Sequence, residues 1–177
     1  ANIQLFLKRR PASETNITTY TLPEGTKFTT EVNGITYTYQ TLESVGPAAY
    51  DATTDGFTFP SVKIYEGRKK KLAYTVSTNV FQKFLIADPD ADNATLKVKI
   101  FEDLNTPITQ SIAYSLFSTF VNVNSSSEIY FLSENGDGLY DVTFGDGVLG
   151  KKLSPLNRVE LEYLVTAGGN SNGANQF

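Results

Sequence analysis

Residues 28–39 read FTTEVNGITYTY, and this stretch decides the fold. Phe28, Thr30 and Val32 alternate with polar residues before Asn33-Gly34, and Ile35, Tyr37 and Tyr39 alternate after it. A period of two places successive side chains on opposite faces of a strand. Asn and Gly both accept the positive φ of a two-residue turn, so the pair between two alternating runs predicts a tight β-hairpin.

The same period runs outward in both directions. Ile3, Leu5 and Leu7 alternate with Gln4, Phe6 and Lys8. Residues 17–22 form another run, stopped by the turn Pro23-Glu24-Gly25-Thr26. Residues 57–65, 72–76, 96–101, 129–132, 140–144 and 159–165 carry strand patterns, and 81–86 is a short apolar run. Gly136-Asp137-Gly138 reads as the hairpin loop between two of these strands. Residues 45–56, with Gly, Pro, Ala, Asp and Thr, read as a loop. The expected fold class is all-β: nine or ten short, mostly antiparallel strands in meander or sandwich sheets.

One segment competes with this reading. Ile108, Ile112, Leu116 and Phe120 recur every four residues, with Tyr114 and Phe117 beside them, which suits one short helix over 107–121. The frequent Ser, Thr, β-branched and aromatic residues there suit a strand instead. Asp88-Pro89-Asp90-Ala91-Asp92-Asn93 breaks the pattern and divides the chain into expected lobes at 1–87 and 94–166. Residues 167–177, rich in Gly and Asn, read as an exit linker. The chain opens at Ala1 without an initiator Met and enters a strand almost at once, as a piece cut from a longer protein would.

Composition narrows the chemistry. Among 177 residues there is no His and no Cys. That removes the usual transition-metal ligands, the commonest general base and the thiol nucleophile, and it leaves no disulfide. Net charge is −4, with 15 basic residues scattered except for Arg68-Lys69-Lys70-Lys71. That run is either a contact for nucleic acid or anionic lipid, or a solvated turn or strand end after Gly67; the second reading is preferred. No apolar stretch reaches the roughly 20 residues of a membrane span, and no signal peptide is visible.

No dinucleotide, phosphate-loop, serine-elbow or zinc-protease motif is present. Glu160 and Glu162 lie two apart on a predicted strand, as an acid/base pair or, preferred here, as its solvent face. Asp88, Asp90 and Asp92 have the spacing of a calcium loop. However, Asn93 stands where the loop needs Gly and Lys99 where it needs Glu, so no metal site is assigned. Asn135-Gly136-Asp137-Gly138 with Asp146 is read as turn chemistry rather than a cation site. Tyr37 and Tyr39 are expected in the core rather than stacking on a sugar, and Tyr65 and Tyr74 at ordinary strand positions. The sequons at Asn16, Asn93 and Asn124 are read as chance matches. No catalytic residue, cofactor or small-molecule substrate is assigned.

The last third reads IYFLSENGDGLYDVTFGDGVLGKKLSPLNRVELEYLVTAGGNSNG, residues 129–173. Phe144-Gly145-Asp146-Gly147 is followed by Gly150, a turn with Pro155, a strand over 159–166 and an Asn172-Gly173 exit. Near the start, Leu22-Pro23-Glu24-Gly25-Thr26-Lys27-Phe28 forms a Pro–Gly–Thr turn into a strand. In order and spacing these motifs resemble the J-like baseplate family of contractile-tailed phages, over most of the chain. The structural positions carried over are Pro23, Gly25, Phe144, Gly145, Asp146, Gly147, Gly150, Asn172 and Gly173. The helical segment that precedes this region in the family, and the domains that follow it, are not in this sequence. The resemblance therefore bears on architecture and not on contact residues. It implies a non-enzymatic scaffold of the virion, assembled in the host cytoplasm. Its expected partners are other baseplate wedge proteins and copies of itself, with no nucleic acid and no membrane. The competing expectation is a receptor- or glycan-binding β module of a tail fibre, which would expose a concave cluster of aromatics. A scaffold would expose flat patches and sheet edges.

Overall fold

A computed structural model of the chain describes residues 1–8, 17–78, 82–172 and 174. Within them the protein is all-β, with fourteen strands and two single 3-10 turns. The strands are β1 (Asn2–Lys8), β2 (Thr19–Leu22), β3 (Lys27–Val32), β4 (Ile35–Gln40), β5 (Val45–Asp51), β6 (Gly56–Lys63) and β7 (Tyr65–Glu66). Then come β8 (Arg68–Thr75), β9 (Phe84–Ile86), β10 (Ala91–Phe101), β11 (Ile112–Leu116), β12 (Ile129–Glu134), β13 (Tyr140–Phe144) and β14 (Arg158–Val165).

The chain forms two compact units. The first holds residues 1–67 and 167–177, the second residues 68–166. In the first, an antiparallel sheet β1-β6-β5-β2 and a smaller sheet β3-β4-β7 share one core. Tyr37 and Tyr39 of β4 and Phe57, Phe59 and Val62 of β6 are buried in it. The β3–β4 hairpin has the expected register, Val32 opposite Ile35, with Asn33 at φ 53° and Gly34 at φ 79°.

The second unit is one seven-stranded sheet in the order β8-β14-β10-β11-β12-β13-β9. All its pairs are antiparallel except β11 with β12. Its two edge strands meet where the Tyr74 hydroxyl donates to the Leu85 carbonyl, which nearly closes the sheet. Phe84, Ile86, Val98, Tyr130, Val142, Val159 and Leu161 fill the interior.

Several expectations are corrected. The loop expected over 45–56 is confined to the turn at 52–55: Val45–Asp51 is β5, an interior strand paired to β2 and to β6. Pro47, which has no N–H to give, sits where the β2–β5 register shifts, and its peptide bond to Gly46 is cis. The 107–121 segment, where the sequence left helix and strand both open, takes the strand alternative. Ile108–Gln110 is one 3-10 turn after Pro107, and β11 follows it. Backbone pairing of Val98 with Tyr114 and Ile100 with Ile112 outweighs the four-residue spacing. The two-residue β7 adds another strand too short to read as a pattern.

The units divide at Gly67/Arg68 and not at Asp88–Asn93, because β8 pairs along its whole length with β14. Residues 167–172 are no free exit linker: they form a 3-10 turn belonging to the first unit. There the Tyr39 hydroxyl donates to the Ser171 carbonyl at 3.1 Å. Asn16, Phe81 and Gly173, each named in the sequence reading, lie outside the described residues.

A Cβ at Gly34 would meet nothing within 4 Å, so only its backbone angle resists substitution. Gly34→Val is therefore expected to destabilise the protein by about 1 kcal/mol or more. The urea midpoint checks this, and an unchanged midpoint would show that the turn does not need positive φ.

Candidate functional site

Of the described residues carried over from the family resemblance, Phe144 ends β13 and the others fall into three turns, two of which are fastened by specific contacts. The first contains Pro23 and Gly25. The Pro23 carbonyl accepts from the Thr26 hydroxyl at 2.7 Å and from the Thr41 hydroxyl at 3.0 Å. Gly25, at φ 79°, donates its N–H to the Thr41 carbonyl at 2.9 Å. Thr41 is fully buried, so this turn is keyed to the chain just after β4.

The second turn follows Phe144. Gly147, at φ 94°, needs the conformational freedom of glycine, and Gly145 does not. The requirement at Gly145 is proximity: a Cβ there would lie 2.2 Å from the Gly150 carbonyl carbon. A Cβ on Gly150 would in turn lie 2.8 Å from the Ile129 side chain. Two backbone segments thus touch directly, and each glycine excludes any larger residue. The Asp146 carboxylate accepts from the Val148 and Leu149 N–H groups at 2.8 and 2.9 Å, which lowers its pKa below the usual carboxylate value. Further on, the Gly150 N–H reaches Asn124 and the Lys151 N–H reaches Ser127, fixing the loop to the chain before β12. Phe144 packs edge-on against Phe84 and Tyr114 in the core. The third position, Asn172, closes the 3-10 turn with its N–H on the Gly169 carbonyl.

A groove of about 440 Å³ runs beside the second turn, between Gln82, Lys83 and Phe84 on one side and Phe131, Asp146 and Leu149 on the other. Two of its polar side chains have partners within the chain. The Gln82 side chain bonds the Thr75 carbonyl and the Ser77 N–H, and Lys83 pairs with Asp141 at 3.2 Å.

Arg68–Lys71 is a strand end after Gly67, the first half of the edge strand β8. Its lysines are matched by carboxylates of the same unit. Lys69 and Lys71 each lie 3.1 Å from Glu162, Lys71 lies 3.1 Å from Glu160, and Lys70 lies 2.8 Å from Asp88. Glu160 and Glu162 share the face opposite Val159, Leu161 and Tyr163, as expected, but that face is not open: lysines cover it, and Glu162 is buried. Burial alone would raise the Glu162 pKa; hydrogen bonds from Lys71 and Lys69 outweigh it and hold the carboxyl below its ordinary value. Its contribution to stability is therefore present above the ordinary glutamate pKa and is lost as pH falls through the lower folded value. Asp88 is occupied by Lys70 and by the Tyr163 hydroxyl, so it does not face Asp90 and Asp92 as a free ligand. Among the described residues no group of three or more acidic side chains is placed to hold a metal ion.

Sequence reasoning missed one organising residue. Arg158 lies over the Phe101 ring at 3.9 Å and donates to the carbonyls of Leu104, at 3.0 Å, and Thr106, at 3.4 Å. Asn157 donates to the Glu102 carbonyl at 2.7 Å, and Asp103 accepts the N–H groups of Asn105 and Thr106. The loop after β10 is thereby pinned. Along the chain that follows, Leu104, Ile108, Ile112, Leu116 and Phe120 are all exposed, the last by 72%. The side chains whose spacing suggested a helix buried on one face therefore largely face water.

The chain matches no protein-family model and no curated protein.

Gly145→Ala should destabilise the protein by about 1–3 kcal/mol, the range for forcing an added methyl group into a packed site. Thermal unfolding checks this, and a cost no larger than that of Ala at the spacious Gly136 would mean the Gly145–Gly150 contact is loose. Calcium and EDTA should leave the melting temperature alike, since Asp88 already has partners. A rise of several degrees in millimolar calcium would reveal a cation site at 88–92 or 135–138.

Proposed function

We propose that the chain is a structural component of a phage tail baseplate wedge. In this role it is a non-catalytic scaffold that joins neighbouring wedge subunits into the ring around the tail hub. Its partners are other wedge proteins and copies of itself, and its place is the virion. The observation that carries this reading is the contact of Gly145 with Gly150. The motif behind the family resemblance has a physical requirement here, and that requirement is architectural. The pinned chain after β10 supports the same reading, because it offers apolar side chains on ordered backbone, as a surface that meets a neighbour would.

The alternative, a receptor- or glycan-binding module, draws less support. Tyr37 and Tyr39 are buried, and among the described residues the exposed Phe6 and Tyr20 lie on β1 and β2, while Phe120 meets Phe117, which in turn meets Phe131 at the groove.

In-frame deletion of this region from the full-length protein should leave baseplate rings incomplete by electron microscopy. Intact, contractile tails that merely fail to adsorb would overturn the scaffold reading in favour of the adhesin.

A further inference from the structure

The second unit has an unusual entrance. The chain enters it at Arg68 and leaves it after Val165, and these two residues are paired across β8 and β14. Both chain crossings therefore sit at the same end of one antiparallel strand pair. Strand β8 is an edge of the seven-stranded sheet, with β14 as its one ladder partner. Its two halves are held differently. The far half carries Leu72 and Tyr74, which pack on the core, and leads into Val76. Val76 is buried and exchanges backbone hydrogen bonds with Asn157 and Leu156. The near half, Arg68-Lys69-Lys70-Lys71, has no apolar residue. Beyond the backbone ladder, the side-chain attachments seen there are ionic: Lys69 and Lys71 on Glu162, Lys71 on Glu160, and Lys70 on Asp88. The register also sets Lys97 and Lys99 of β10 opposite Glu162 and Glu160, so the two glutamates lie between two lysine-bearing strands.

We propose that residues 68–71 form a charge-held latch, a segment that unzips from β14 independently and frees the incoming crossing at Arg68, while β10 keeps the outgoing crossing through Val165 opposite Ala91 and the Thr166 N–H on the Asp90 carbonyl. Local opening of this kind is set by how little apolar contact a segment has. Here that contact is confined to the far half of β8. Partly exposed ion pairs each contribute little and are weakened by salt, so the near half is the weakest part of the ladder and the most sensitive to ionic strength. The latch rests on the geometry of the second unit alone and holds whatever assembly the protein serves.

Residue-resolved amide hydrogen exchange on the whole chain, at one fixed pH, tests this. Each rate is referred to the intrinsic rate of that amide. In Glu160→Gln/Glu162→Gln, exchange at residues 68–71 should quicken at least threefold, with β13 amides unchanged. Raising salt to about 1 M, where the Debye length is about 3 Å, should do the same to the unsubstituted protein. The salt arm decides alone if the double variant does not fold. Unchanged protection at 68–71 would overturn the proposal. So would equal acceleration at 68–71 and in β13, because opening would then be global.

Discussion

The second unit depends on the two-sided pairing of β14. Residues 158–165 are hydrogen-bonded to β8 on one edge and β10 on the other, and Val159, Leu161 and Tyr163 point into the core with at most 1% of their surface exposed. A central strand must also put something on its other face. Apolar residues there would need a second layer to cover them, and bare carboxylates would repel. The chain places two glutamates and brings lysines from β8 onto them. Taking those carboxylates partly out of water has a cost, and charge-assisted hydrogen bonds offset it. The acidic pair and the basic run, which looked like separate sequence features, are two sides of one interaction.

Turns impose the second constraint. The loop after β13 works because two glycine backbones touch, and the turn before β3 works because Thr41 reaches back to the Pro23 carbonyl. Both arrangements use side chains or backbone to satisfy groups that a sheet leaves unpaired at its ends.

Alternating strands ending in Asn-Gly or in Pro–Gly turns could be read directly, because period and turn chemistry are local properties. Strand β5 could not, because Gly46, Pro47 and Ala48 carry no strand signal and pairing on both edges supplies the conformation. For β11 the apparent signal pointed the wrong way: a four-residue apolar spacing indicates a helix only if that face is buried, and here most of those residues are exposed. The boundary between units was hidden for a related reason. Asp-rich residues 88–93 look like a break, but Lys70 and Tyr163 tie Asp88 into the sheet from both β8 and β14. Asp146 and its amide partners were legible as turn chemistry. The need for Gly145 was not legible, since close approach to Gly150 is a tertiary fact.

The chain after β10 poses the sharpest energetic question. Exposed apolar side chains gain nothing from folding, and a loop carrying several of them would ordinarily be left to fluctuate. Here the backbone is held by Arg158, Asn157 and Asp103, while Phe117 meets Phe120 edge-on and Phe131 at a tilt, each at about 5 Å between ring centres. Ordering a segment in advance removes entropy that a later contact would otherwise have to overcome. An ordered apolar surface is therefore disfavoured in an isolated domain and favoured in a part that meets a neighbour. That asymmetry gives the proposed scaffold role a physical basis that the turn motifs alone do not provide.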